Sequence, residues 1–174
     1  DEDNAQWLDA AVKSRAFWKT AVQPETGLFP DYAEFDGTPT DYGSSDYHKD
    51  FRFDAWRTGM NIAMDYIWFG KDEWAVEQSN RWLDFFVDQG LDSYVNQYTL
   101  DGEPLSNDCS PGLVAMNAVT ALAANHPRRA EFVQALWDLQ VPSGRWRYYD
   151  GMLVMLALLQ VSGNFQVYGP DPNS

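Results

Sequence analysis

Apolar residues recur along this chain at intervals of three and four, the spacing that places side chains on one side of an α-helix. Six stretches carry the pattern. The first, at 4–21 ("NAQWLDAAVKSRAFWKTA"), puts Trp7, Leu8, Ala11, Val12 and Trp18 on one face. The second, at 51–69, stops at Gly70. The third, at 72–89, opens on Asp72 as an N-cap, stripes Ala75, Ser79, Trp82, Leu83 and Phe86, and ends at Gly90. The fourth starts in "SPGLVAMNAVTALAA", with Ser110 as cap and Pro111 at the first helical position, and stops at Asn125–Pro127. The fifth, at 127–139, stripes Phe132, Val133, Leu136 and Trp137. The sixth begins near Asp150, read as its N-cap, and closes at Gly163.

Strand signals are few. Residues 94–106 ("YVNQYTLDGEPLS") alternate weakly around an Asp101-Gly102 turn, which is the pattern of one short β-hairpin. The connection 22–50 is rich in Pro, Gly, Asp and Tyr, and connections of that length in a compact domain usually carry function. The expectation is an all-α fold of three helix pairs, forming a curved stack with raw edges that is part of a larger helical ring.

The second stretch raises a chemical question. "FRFDAWRTGMNIAMDYIWFG" is greasy around most of its circumference, yet Asp54, Arg57, Asn61 and Asp65 fall within an arc of about 80°. A buried carboxylate without a partner is expensive, so the stripe must be paired internally or face a wet cleft. On the structural reading, Asp54 and Arg57 are an ion pair three residues apart. On the functional reading, Asp54 is held ionised by Arg57 and the helix N-terminus, beside the long loop, ready to take a proton from water. That is the work of the base in an inverting glycosidase. Phe53, Trp56, Trp146, Tyr148 and Tyr149 are candidates for a sugar groove, whereas Trp7, Trp18, Trp74, Trp82 and Trp137 read as core and Asn117 as a buried packing amide.

Composition narrows the partners. The chain of 174 residues is 45% hydrophobic and 16% aromatic, enough for one domain with a sizeable core. A net charge of −14 with only 12 Lys+Arg argues against nucleic acid or an anionic membrane surface. Cys109 is the single cysteine, and His48 and His126 lie far apart. Neither disulfide framework nor His- or Cys-based metal site is expected, and no cofactor. No apolar run is long enough for a transmembrane helix. The start "DEDNAQW" has no signal-peptide pattern and reads as a processed or cut end.

The stretches "FRFDAWRTGMNIAMDYIWFG", "SPGLVAMNAVTALAA", "RYYDGMLVMLALLQVSGNF" and "PETGLFPDYAEFDGTP" resemble the C-terminal half of family 8 glycoside hydrolases, with the xylan-cleaving branch the nearest pattern. The resemblance covers nearly the whole chain. It implies half of an (α/α)6 barrel, residues 1–174 being the C-terminal portion of one catalytic domain. It also implies hydrolysis with inversion of β-1,4-xylan or xylo-oligosaccharides. Asp54 falls on the family's general base, Arg57 on the arginine that orients it, and Phe53 on an aromatic lining the cleft; Tyr148 and Tyr149 are added as substrate-binding candidates.

The family's general acid, a glutamate, lies in an N-terminal half that this sequence lacks, so that half is the expected partner. Family members that trim xylose from the reducing end carry a His-containing plug before the equivalent of Pro111. The stretch "SNDCSPG" has none, which favours an open, endo-acting cleft. The alternatives are such an exo-oligoxylanase, a β-1,4-glucanase or chitosanase of the same family, and, in another class, a non-catalytic helical carbohydrate-binding scaffold. Endo action implies an extracellular or periplasmic address, and oligosaccharide trimming a cytoplasmic one.

Overall fold

A computed structural model describes residues 4–44, 46–70 and 72–166. Among the described residues there are six helices: α1 (Asn4–Ala21), α2 (Trp56–Phe69), α3 (Trp74–Gln89), α4 (Pro111–Ala123), α5 (Arg129–Asp138) and α6 (Arg147–Val161). Helix α4 is the hub, packing against α2, α3, α5 and α6. Helices α2, α4 and α6 form one row. Helix α3 lies against α2 and α4, and α5 against α4 and α6, which makes a second row.

The sequence of α4 explains its place. Leu113, Val114, Ala115, Met116, Ala118 and Val119 leave almost no polar surface, so the helix is stable only where other helices cover every side. Its one amide, Asn117, is wholly buried, and its Oδ1 accepts the Trp82 indole N–H at 2.7 Å. That one bond pairs the buried indole N–H with the buried amide oxygen. Around it, Phe51, Trp82, Phe85, Phe86, Tyr94 and Tyr98 form an edge-to-face aromatic cluster. Gly59 lets α2 and α4 approach closely, because a Cβ there would run into Thr120 and Trp82.

Four expectations need correction. The hairpin at 94–106 is reduced to isolated bridges, Phe51 with Tyr98 and Tyr98 with Pro104, although the Asp101-Gly102 turn forms, with Gly102 at φ 96°. Helix α2 begins at Trp56 rather than 51, leaving Asp54 in the turn that leads into it. Asp150 does not cap its own helix. It sits in the first turn of α6, and its buried carboxylate accepts the Ser110 hydroxyl at 2.7 Å and the Gly112 N–H at 3.1 Å, capping α4 instead.

The fourth correction concerns the tryptophans. Trp82 is buried and Trp18 and Trp74 are half-buried, but Trp7 and Trp137 are exposed. Their helices do present apolar stripes, but no described part of the chain covers those stripes at the two ends of the stack. Helix α1 is tethered instead through its C-terminal half, where Arg15 grips Asp65 with two bonds of 2.6 and 2.7 Å and Lys19 meets Asp72 at 2.8 Å. Among the described residues, no helix is long and apolar enough to cross a membrane.

Candidate active site

The long connection 22–50 supplies half of the site by folding back on itself. The Asp31 N–H donates to the Asp50 carbonyl at 2.8 Å and the Tyr32 N–H to the His48 carbonyl at 2.9 Å, so residues 31–32 run beside 48–50. Phe51 then pairs with Tyr98 through two backbone bonds and plugs into the aromatic core. This anchor delivers Phe53 and Asp54 to the start of α2.

The polar stripe divides there. Asp65 is consumed by Arg15 and ties α1 to α2, a structural role. Asp54 lies at the other end and stays open: its side chain is 41% exposed and that of Arg57 is 42% exposed, with Oδ1 and Nη2 2.5 Å apart. Arg57 Nε is buried with no partner among the described residues, so the guanidinium makes its contact through the outer edge of its fork. Phe53, 40% exposed, packs edge-on against Trp56, and Tyr148, 79% exposed, stands free at the start of α6.

Two of the sequence candidates are engaged within the fold. Trp56 is core rather than groove: it is buried, and its indole N–H donates to the Asn96 carbonyl at 3.1 Å. Tyr149 is half-buried, stacks obliquely on Trp56, and donates its hydroxyl to the Phe53 carbonyl at 2.6 Å. Burial is the main cause that pushes the Tyr149 hydroxyl up to about 12, so it remains a donor at any ordinary pH.

Sequence reasoning missed Asp31 and His48. The Asp31 side chain is only 3% exposed, and it is fully engaged. Oδ1 accepts the backbone N–H of Asp54 at 2.6 Å and of Ala55 at 3.2 Å, and Oδ2 meets His48 Nδ1 at 2.7 Å. A carboxylate on the free N–H groups at a helix start is favoured by both hydrogen bonding and the helix dipole. The His48 ring is stacked on Tyr32 at 4.2 Å and lies 4.3 Å from Tyr47. Burial first, then the negative charges of Asp54 and Asp31, push the Tyr32 hydroxyl above its ordinary range. The available signal was an acid inside "LFPDY", where apolar neighbours on both sides call for a specific partner.

The arrangement is thus a half-open carboxylate, charge-balanced by an arginine, on a backbone held by buried groups, with the rings of Phe53 and Tyr32 nearby. Such a carboxylate can accept a proton from a water beside a ligand lying on those rings. Comparisons with known proteins identify the family of the chain. Residues 1–163 match the model of the family Glycosyl hydrolases family 8. The chain is 42% identical over 173 residues to the reducing-end xylose-releasing exo-oligoxylanase Rex8A of Paenibacillus barcinonensis, covering 97% of this chain and 44% of the relative. It is 32% identical over 149 residues to endoglucanase A of Acetivibrio thermocellus, covering 86% of this chain and 29% of the relative. Among solved structures, a GH8 xylobiose complex from Teredinibacter turnerae superposes with a TM-score of 0.89 at 45% identity, covering 94% of this chain and 42% of that one.

The chain therefore belongs to glycoside hydrolase family 8. It spans less than half the length of each of these relatives, and its six helices cover about half of an (α/α)6 barrel.

Proposed function

We propose that this chain is the base-bearing half of an inverting glycoside hydrolase that cleaves β-1,4-xylan or xylo-oligosaccharides. Asp54 takes the proton from the attacking water. Arg57 balances its charge and orients it, and Phe53 and Tyr148 offer ring faces to the sugars. One observation carries this reading: Asp54 is the half-open carboxylate at the head of α2, ion-paired with Arg57 at 2.5 Å and flanked by an exposed phenylalanine. A base buried in dry packing could not reach water.

Inversion needs a second carboxyl, an acid roughly 6.5–9.5 Å away across the scissile bond. We assign it to the N-terminal half of the same enzyme. The two uncovered ends of the helix stack support that partner. Trp7, Leu8 and Val12 on α1 with Phe69 on α2 form one apolar rim, and Trp137, Val141, Met155 and Leu159 near α5 and α6 form the other. Apolar patches of this kind are rare on free monomers and fit docking against further helices of a ring.

The mode of attack has two readings. The names of the curated relatives at 40% identity and above favour release of xylose from the reducing end. The histidine-free stretch at 106–112, with Cys109 exposed, favours an open cleft and internal cleavage. Co-expression of this chain with an N-terminal half, followed by product analysis on xylan, xylohexaose, carboxymethylcellulose and chitosan, tests all of this. The reading expects a co-purifying complex that releases xylose oligomers from xylan. Activity on carboxymethylcellulose or chitosan but not on xylan would overturn the substrate. A soluble, cooperatively folding 19.9 kDa chain that gains no activity from any N-terminal half would favour a scaffold.

A further inference from the structure

The peptide group that joins Phe53 to Asp54 is held at both ends. Its carbonyl accepts the Tyr149 hydroxyl at 2.6 Å, and its N–H donates to Asp31 Oδ1 at 2.6 Å. A peptide group is planar, so the two bonds pin one rigid plate from its two sides. Turning that plate changes ψ of Phe53 and φ of Asp54 together, and those angles decide where the Asp54 Cα–Cβ bond points. We infer that Asp31 and Tyr149 are positioning residues that aim the Asp54 carboxylate by gripping this single peptide group. The inference rests on the base role proposed above.

Each grip is itself held. Asp31 cannot swing, because Oδ1 also accepts the Ala55 N–H and Oδ2 is fixed by His48 Nδ1. His48 is in turn clasped between the rings of Tyr32 and Tyr47. Tyr149 is fixed by its oblique packing on buried Trp56. The two grips come from elements remote in sequence, the folded-back loop and the first turn of α6, so the aim of the base depends on how loop and helix sit against each other. Both bonds are short, and the one to Asp31 has a carboxylate acceptor, the stronger kind.

A helix cap alone would explain Asp31 but not Tyr149, whose target is the carbonyl of the same peptide. Capping serves stability, whereas aiming serves the chemical step. Misplacing a reacting group by about 1 Å costs on the order of 10²-fold in rate, so the two roles separate in kinetics.

The test uses the enzyme reassembled from this chain and its N-terminal half, with xylohexaose as substrate. Tyr149→Phe removes one oxygen and should lower kcat by about tenfold while KM stays within about threefold. Asp31→Ala should lower kcat by roughly 10²-fold, and Asp31→Asn, whose carbonyl can still accept both N–H groups, should recover part of that loss. If kcat per folded molecule stays within about twofold of the parent in Tyr149→Phe and Asp31→Ala while only the melting temperature falls, the inference is overturned. Should Asp31→Ala fail to fold, Tyr149→Phe decides by the same criterion. An inert parent enzyme would remove the function reading. The grip is then judged by the Asp54 amide proton in ¹⁵N-labelled protein: displacement in both Tyr149→Phe and Asp31→Ala supports it, and an unmoved resonance refutes it.

Discussion

Replacing Asp54 by Asn removes the proton acceptor while preserving size and shape, so it separates chemistry from architecture. The rate effect follows from the role: a positioned general base contributes about 10²–10⁴-fold, which is about 2.7–5.4 kcal/mol of barrier at 1.36 kcal/mol per tenfold. The stability effect follows from the geometry. Asp54 and Arg57 are each about two-fifths exposed, so solvent screens their 2.5 Å contact. Such pairs are worth on the order of 0.2–1 kcal/mol. For a chain of 174 residues that corresponds to a drop of no more than roughly 4 °C in melting temperature. Reducing-sugar release by the reassembled enzyme gives kcat and KM, and calorimetry on the same samples gives stability. The expected outcome is a kcat loss of at least about 10²-fold, a KM within a few-fold, and a nearly unchanged transition. Activity within about tenfold of the parent would rule out the base role. A large fall in melting temperature with normal turnover of the surviving fold would show that the pair is only structural.

Three further outcomes bear on the framework. Asp65→Asn weakens the two-bond contact with Arg15, both side chains being less than one-fifth exposed. It should destabilise by about 1–3 kcal/mol in denaturant melts while leaving kcat per folded molecule unchanged. Gly112→Ala would bring a Cβ to 2.8 Å from Asp150 Oδ1 and 2.9 Å from a Leu153 methyl, so urea titration should reveal a loss of about 1–3 kcal/mol from forced repacking of α4 against α6. Tyr149 titrates near 12 when folded and near 10 when unfolded, so its contribution is complete below pH 10 and is lost as pH rises toward 12. Across that window the parent should lose more stability than Tyr149→Phe, measured by thermal melts at stepped pH; identical slopes would contradict the burial of this hydroxyl.

The helices were legible because each has a local cause. Pro111 opens α4, Gly70 and Gly90 close α2 and α3 with positive φ, and apolar spacing of three and four marks the faces between. The pairing of Asp54 with Arg57 was legible too, as an acid and a base three residues apart beside a long loop, although the helix starts only at Trp56. What could not be read was anything set by distant segments. The Asp31 and Asp54 partnership joins residues 23 apart through a loop whose fold-back depends on backbone pairing. Asp150 reads as the cap of its own helix, yet it serves α4 at a separation of 38–40 residues. Trp7 and Trp137 show the converse problem: periodicity reports that a face is apolar, not that anything described here covers it.

Stereochemistry at the cut bond is the sharpest check on the whole account. Proton NMR recorded in the first minutes of xylohexaose cleavage reads the anomer before mutarotation hides it. If Asp54 drives water onto the sugar face opposite the departing oxygen, the new reducing end appears first as the α-anomer. An initial β-anomer would mean a covalent, retaining route, in which this carboxylate has no such job.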